Sequence, residues 1–191
     1  MTKSRLEAFS DGVIAIIITI MVLELKVPSQ SDLTGLIPLY PVFLSYLLSF
    51  VFLGIYWSNH HHLLQAVKQV DGRVLWANLH LLFWLSLIPF VTGCVGHNHF
   101  VPWPVALYGI VMLMAAIAYF ILTRVLLTLH ERDSALAVAL GSDFKGKISV
   151  VIYVIAIPLA FASTWISGGL YVLVAIMWLI PDRRIERTLA R

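Results

Sequence analysis

Ser10 and Asp11 set a hydroxyl and a carboxylate near the start of an otherwise apolar run, Arg5-Leu6-Glu7-Ala8-Phe9-Ser10-Asp11-Gly12-Val13-Ile14-Ala15-Ile16-Ile17-Ile18-Thr19. Two chemistries suit that pair. At the start of a helix, both side chains accept from exposed N–H groups, and the carboxylate meets the positive end of the dipole. Inside hydrocarbon, an acid instead needs a partner on another helix. The sequence offers Asn78, His80 and the nearby Arg5 for that role.

Histidines are the other chemistry-bearing group. His60, His61 and His62 are contiguous, and His97 and His99 share a loop. Adjacent residues on a helix point in different directions, so three in a row make poor joint metal ligands. The simpler reading is histidine at a membrane interface, with a proton-sensitive contact as the alternative. His80 lies within an apolar run, where an ionisable group needs a partner, and a hydrogen bond to the Ser10-Asp11 region is expected rather than ion ligation. Cys94 is the single cysteine, so no intrachain disulfide and no C-x-x-C motif exist.

The elements that position these residues follow from composition. Hydrophobic residues make up 60% of the 191 and charged residues 12%, where a soluble domain carries roughly a quarter charged. A bilayer is the solvent this implies, and a membrane-spanning helix needs about 20 apolar residues. Six runs suggest themselves, at about 8–25, 36–57, 74–95, 105–129, 148–166 and 170–180. The expectation is an all-α integral membrane protein, one transmembrane domain over residues 1–191 with six spans. Pro28 ends the first span, Pro89 lies near the far end of the third, and the fourth begins after Pro104. A Ser167-Gly168-Gly169 turn is expected to join the last two as a tight hairpin, the sixth being short. The first run lacks an A-x-A site and reads as a retained span rather than a cleaved leader.

Of the thirteen lysines and arginines, all but Lys26 fall in the termini, in alternate loops or, for Arg124, near the end of the fourth span, on one face of that layout. The positive-inside bias makes that face cytosolic and puts both termini there. The same distribution explains the basic balance better than nucleic-acid binding does. Trp57, Trp76, Trp103, Trp165 and Trp178 sit near span ends, as interface anchors do. No loop is long enough for a separate catalytic or ligand-binding domain, so an enzyme is not expected. The two halves of the chain show no convincing repeat, which weakens an inverted-repeat transporter.

The pattern R-x-x-x-F-S-D at the start of the first span, here Arg5, Phe9, Ser10 and Asp11, resembles the potassium channels of endosomes and lysosomes and their prokaryotic homologues. The likeness extends to the six-span layout and to the region from Trp57 to Pro89, where Trp and His precede Asp71, Asn78, Phe83 and Pro89. The resemblance implies one six-helix unit per chain, a homotetramer, and a central pore lined by the first helix of each copy. It also implies that the narrowest positions are Ile16, Thr19 and Leu23. Their spacings of three and four put them on one helical face. A ring of Thr19 hydroxyls would offer oxygen ligands to a cation, whereas rings of Ile16 and Leu23 would gate by constriction and dewetting. Read without the resemblance, the same stripe is ordinary helix packing. Ala8, Gly12 and Ala15 form a small-residue stripe on a neighbouring face, suited to close backbone approach. The T-V-G-Y-G filter is absent, and the loop from Gly96 to Pro104 is too short for a re-entrant filter and pore helix.

The expected function is a potassium-permeable cation channel that conducts passively, with proton permeation as a second activity to test. Arg5, Phe9, Ser10, Asp11, Asn78 and His80 would hold the pore helices in place rather than touch ions. No cofactor and no metal beyond transient potassium at Thr19 are expected. The expected partners are other copies of the chain and the lipid bilayer, with no nucleic acid, in a prokaryotic plasma membrane. The rival is a proton- or cation-coupled transporter with His80 and Asp11 as a relay. A membrane haem or metal enzyme would need paired ligands on facing helices, and His80 has no evident histidine partner.

Overall fold

A computed structural model describes residues 2–28, 33–67, 69–129 and 144–179. Within these the chain is helical. Helix α1 spans Lys3–Met21 and tightens into a 3-10 turn at Val22–Glu24. A second 3-10 stretch, Leu33–Leu39, leads into α2 at Tyr40–Gln65. Then come α3 (Gly72–Ser86), α4 (Ile88–His97), α5 (Pro102–Thr128), α6 (Phe144–Leu159) and α7 (Thr164–Leu179).

Local chemistry fixes most boundaries. Asp71 caps α3 by accepting from the Val74 amide at 3.0 Å. Pro89 has no N–H to give the carbonyl four residues back and its ring crowds it, so α3 stops at Ser86 and α4 restarts at Ile88. The expected third span is therefore two helices end to end. Pro102 and Pro104 both lie in the first turn of α5, which corrects the expectation that the helix starts after Pro104. A proline costs nothing there, because first-turn N–H groups have no intrahelical acceptor.

The hairpin between the last two helices also differs from expectation. Ser167-Gly168-Gly169 lies inside α7, and the chain reverses at 160–163 instead. Pro158 closes the last turn of α6, and the Ser163 hydroxyl accepts from the Ile166 amide at 3.4 Å to start α7.

Among the described residues, four stretches are long and apolar enough to cross a bilayer: Lys3–Glu24, Thr34–Gln65, Gly72–His97 and Pro102–Thr128. Helices α6 and α7 have 16 residues each, which at 1.5 Å per residue is about 24 Å.

Helix α5 sits at the centre, against α3, α4, α6 and α7. Lipid is as apolar as leucine, so helices in a membrane associate through close packing and hydrogen bonds rather than through hydrophobic drive. The buried face of α5 fits that rule, with Ala106, Gly109, Ala115 and Ala118 among Met112 and Leu122. Buried hydroxyls tie the neighbours together. Ser49 on α2 bonds Thr92 on α4 at 2.7 Å and Tyr108 on α5 at 3.1 Å, and Tyr171 on α7 donates to the Val105 carbonyl at 3.1 Å. Gly96 lets α4 touch α2, since a Cβ there would stand 2.7 Å from the Val42 Cα.

Candidate functional site

Helix α1 has two unlike faces. Leu6, Ser10, Ile14, Ile17 and Met21 are buried, against α2, α3 and α4. The opposite face carries Phe9, Gly12, Ile16 and Thr19 and is exposed.

The helix begins at Lys3, so Ser10 and Asp11 lie two turns inside it, and helix capping is overturned as their role. Ser10 donates to the Leu6 carbonyl at 2.9 Å and accepts from the Asn78 amide at 3.0 Å. The Asn78 oxygen pairs with Nε2 of His60 at 2.7 Å. An amide oxygen only accepts, so Nε2 of His60 is the donor. The result is a directed chain, His60 to Asn78 to Ser10 to Leu6, with every member buried and one link on each of α2, α3 and α1. An unpaired polar group in hydrocarbon costs far more than a paired one, so this chain dictates how α1 is rotated against its neighbours.

Asp11 accepts from Nε1 of Trp57 at 3.1 Å, and the Trp57 ring stacks on His61 with centroids 6.0 Å apart. Lys3 donates to the Gln65 carbonyl at 3.1 Å. The first helix is thus bound directly to α2 at two heights. Arg5 and Phe9 are exposed.

His80 is not part of this network, contrary to expectation. It accepts from Nε1 of Trp84 at 2.9 Å, one turn along α3. The physical reason is periodicity: His80 follows Asn78 by two residues, about 200° around the helix, and so points away from α1. No relay between His80 and Asp11 exists in this arrangement. Sequence reasoning missed His60 and Trp57 as the true partners. His60 lies seven residues after the buried Leu53 and shares its face of α2, but His62 stands seven residues after the equally apolar Ile55, so spacing alone did not single it out.

Ile16 is 58% exposed and Leu23, in the 3-10 turn beyond α1, is 75% exposed. Thr19 is exposed between them, and its hydroxyl donates to the Ile16 carbonyl at 2.9 Å. With its proton committed to the backbone, the Thr19 oxygen presents lone pairs outward and can act as a cation ligand. Just past Leu23, Glu24 accepts from Nε2 of His97 at 3.1 Å, tying the end of α1 to the end of α4. Among the described residues no three His, Cys, Asp or Glu side chains are grouped to hold a metal ion.

Residues 5–89 match the family model described as "Endosomal/lysosomal potassium channel TMEM175". A protein of Chryseobacterium sp. (strain P1-3) named as a potassium channel is 57% identical over 189 residues, 99% of this chain and 98% of that one. A Chamaesiphon minutus protein named as a potassium channel is 31% identical over 186 residues, 90% of this chain and 91% of that one. Among solved structures, the crystal structure of a lysosomal potassium-selective channel TMEM175 homolog from Chamaesiphon minutus superposes with a TM-score of 0.79 at 30% identity, over 93% of this chain and 96% of that one.

Proposed function

We infer the activity of this chain from the family it belongs to, the endosomal/lysosomal potassium channel family TMEM175: it is a potassium channel of a membrane, not an enzyme. The conducting path we assign to the exposed face of α1. The observation that carries this is the contrast between two faces of α1 and the 3-10 turn that extends it, where Ser10, Ile14 and Ile17 are packed while Ile16, Thr19 and Leu23 are open.

The centre of a single chain is filled by Met112, Ala115 and Leu122, none of them accessible, so a water-lined path has no room there. It lies instead between copies, with four first helices around an axis in a homotetramer. Helices α6 and α7 complete six crossings, and both termini lie in the cytosol of a prokaryotic plasma membrane. Thr19 oxygens then receive dehydrating potassium, and Ile16 and Leu23 form apolar constrictions that gate by dewetting. No cofactor takes part, and potassium is only in transit.

The test is the reversal potential of purified protein in planar bilayers under a potassium gradient, with sodium substitution and a Thr19→Ala variant alongside. Reversal near the potassium potential, with weaker discrimination against sodium in Thr19→Ala, is expected. Gradient-driven uptake into liposomes without current would instead indicate a coupled transporter. Unchanged selectivity in Thr19→Ala would remove Thr19 from the path.

A further inference from the structure

A cavity of about 320 Å³ opens between α2, α5, α6 and α7, well away from α1. Its walls are Phe52, Ile55, Ala116, Ile117, Tyr153 and Val174, with Trp178 and Lys147 toward one end. The polar groups in the lining are largely spoken for inside the protein. Ser149 donates to the Lys145 carbonyl at 2.7 Å and accepts from Nε1 of Trp178 at 2.9 Å, and Asn59 donates to the Ile55 carbonyl at 2.8 Å. Lys147 is different. It is exposed, it lies in the first turn of α6, and it is the one ionisable side chain other than tyrosine among the described residues that line the cavity. A second cation stands close by: the Arg124 guanidinium lies 4.9 Å over the ring of Phe120, itself part of the wall.

The volume falls in the range of sites that hold small ligands, about 300 to 1,000 Å³. An apolar slot with cations at one end is complementary to a molecule with a hydrocarbon tail and an anionic head. The cations stand at the end of the bundle where Lys3 of α1 meets Gln65 of α2, and where Trp178 of α7 meets Ser149 of α6. Headgroups lie at that depth beside a spanning bundle. We propose that this cavity is a binding site for an anionic phospholipid of the surrounding bilayer, one acyl chain lying between α2, α5 and α6 and the phosphate paired with Lys147. The site is separate from the proposed pore, so its failure would leave the channel reading untouched.

Trp178 supplies the readout, as the part of the emission that Trp178→Phe removes, because bromine on an acyl chain quenches an indole it touches and the five other tryptophans contribute the remainder. Purified protein is reconstituted into vesicles containing brominated phosphatidylglycerol or brominated phosphatidylcholine at equal mole fraction, and emission is compared. The expected result is preferential quenching by the anionic lipid, with an apparent association on the order of fivefold tighter. Lys147→Gln should abolish the preference, whereas Lys3→Gln, at the same end of the bundle but on α1, should leave it intact. Ala116→Phe, which fills the slot, should reduce quenching by both lipids. Retention of phosphatidylglycerol through native mass spectrometry checks the same variants independently of fluorescence. Equal quenching by the two lipids, or equal losses in Lys147→Gln and Lys3→Gln, would overturn the proposal by reducing it to general surface charge.

Discussion

Asn78 donates to Ser10 across 3.0 Å, joining residues 68 positions apart in sequence. This bond acts on function through rotation. Thr19 is nine residues after Ser10, two and a half turns along the helix, and so stands about 180° from it. With Ser10 pinned to α3, Thr19 has to face away from the chain's own core.

Asn78 holds two partners, Ser10 and His60, whereas Ser10 shares its bonds between Asn78 and its own backbone. Asn78→Leu therefore strands a buried imidazole donor, and Ser10→Ala strands only one amide hydrogen. Inter-helix hydrogen bonds in membranes are worth about 0.6 kcal/mol on average and up to about 1.7. Ser10→Ala is expected to fall in that range and Asn78→Leu above it, with clearly non-additive losses in the double variant. Thermal unfolding in mild detergent measures all three; additive losses would mean that the two side chains are not coupled.

What the sequence revealed of this site was set by the kind of signal. Apolar runs disclosed the cores of the first four spans, because hydrocarbon demands length, and the acid and hydroxyl at Ser10 and Asp11 stood out against them. Asn78 was legible for the same reason. His80 drew attention equally, yet two residues of offset send it to Trp84. His60 was masked by its neighbours His61 and His62, since the heptad step from Leu53 to His60 is matched by the step from Ile55 to His62. Glycines misled at 168 and 169, since helices in membranes tolerate them, and the true reversal follows Pro158.

Gly109 and Gly168 should respond oppositely to the same substitution. A Cβ at Gly109 would collide with the Tyr171 hydroxyl, which already donates to the Val105 carbonyl, whereas one at Gly168 meets nothing within 4 Å. Alanine gains about 1 kcal/mol of helix propensity at either site, but overpacking costs roughly 1–3 kcal/mol. Gly109→Ala is expected to lower the unfolding temperature and Gly168→Ala to leave it unchanged or raise it. A matched pair of melting curves is the check.

Asp71 gives acid stability a sign. The Val74 amide first, and then the Arg73 side chain, hold its carboxyl below the usual carboxylate range. A depressed folded value contributes stability that is fully present above the unfolded value of about 3.9 and is lost as pH falls through the folded one. The carboxylate is solvent-exposed, so the effect is small. Wild type should lose stability on acidification below about pH 4 more steeply than Asp71→Asn, whose side chain does not titrate. Parallel slopes for the two proteins would show that the cap carries no pH dependence.

Leu23→Ala separates pore lining from lipid contact. At 75% exposure the side chain touches little of its own chain, so stability should shift by no more than about 0.5 kcal/mol, as for other surface changes. If four copies of Leu23 ring the path, shortening them widens an apolar constriction and admits water, and single-channel conductance should rise several-fold. Ile16→Ala, two turns away at 58% exposure, should act in the same direction, while Leu36→Ala, also exposed but outside α1, should not. Recordings in planar bilayers decide it. Unchanged conductance in both Leu23→Ala and Ile16→Ala, with melting temperatures equally unchanged, would place this face against lipid, and the path would then have to be sought on another helix.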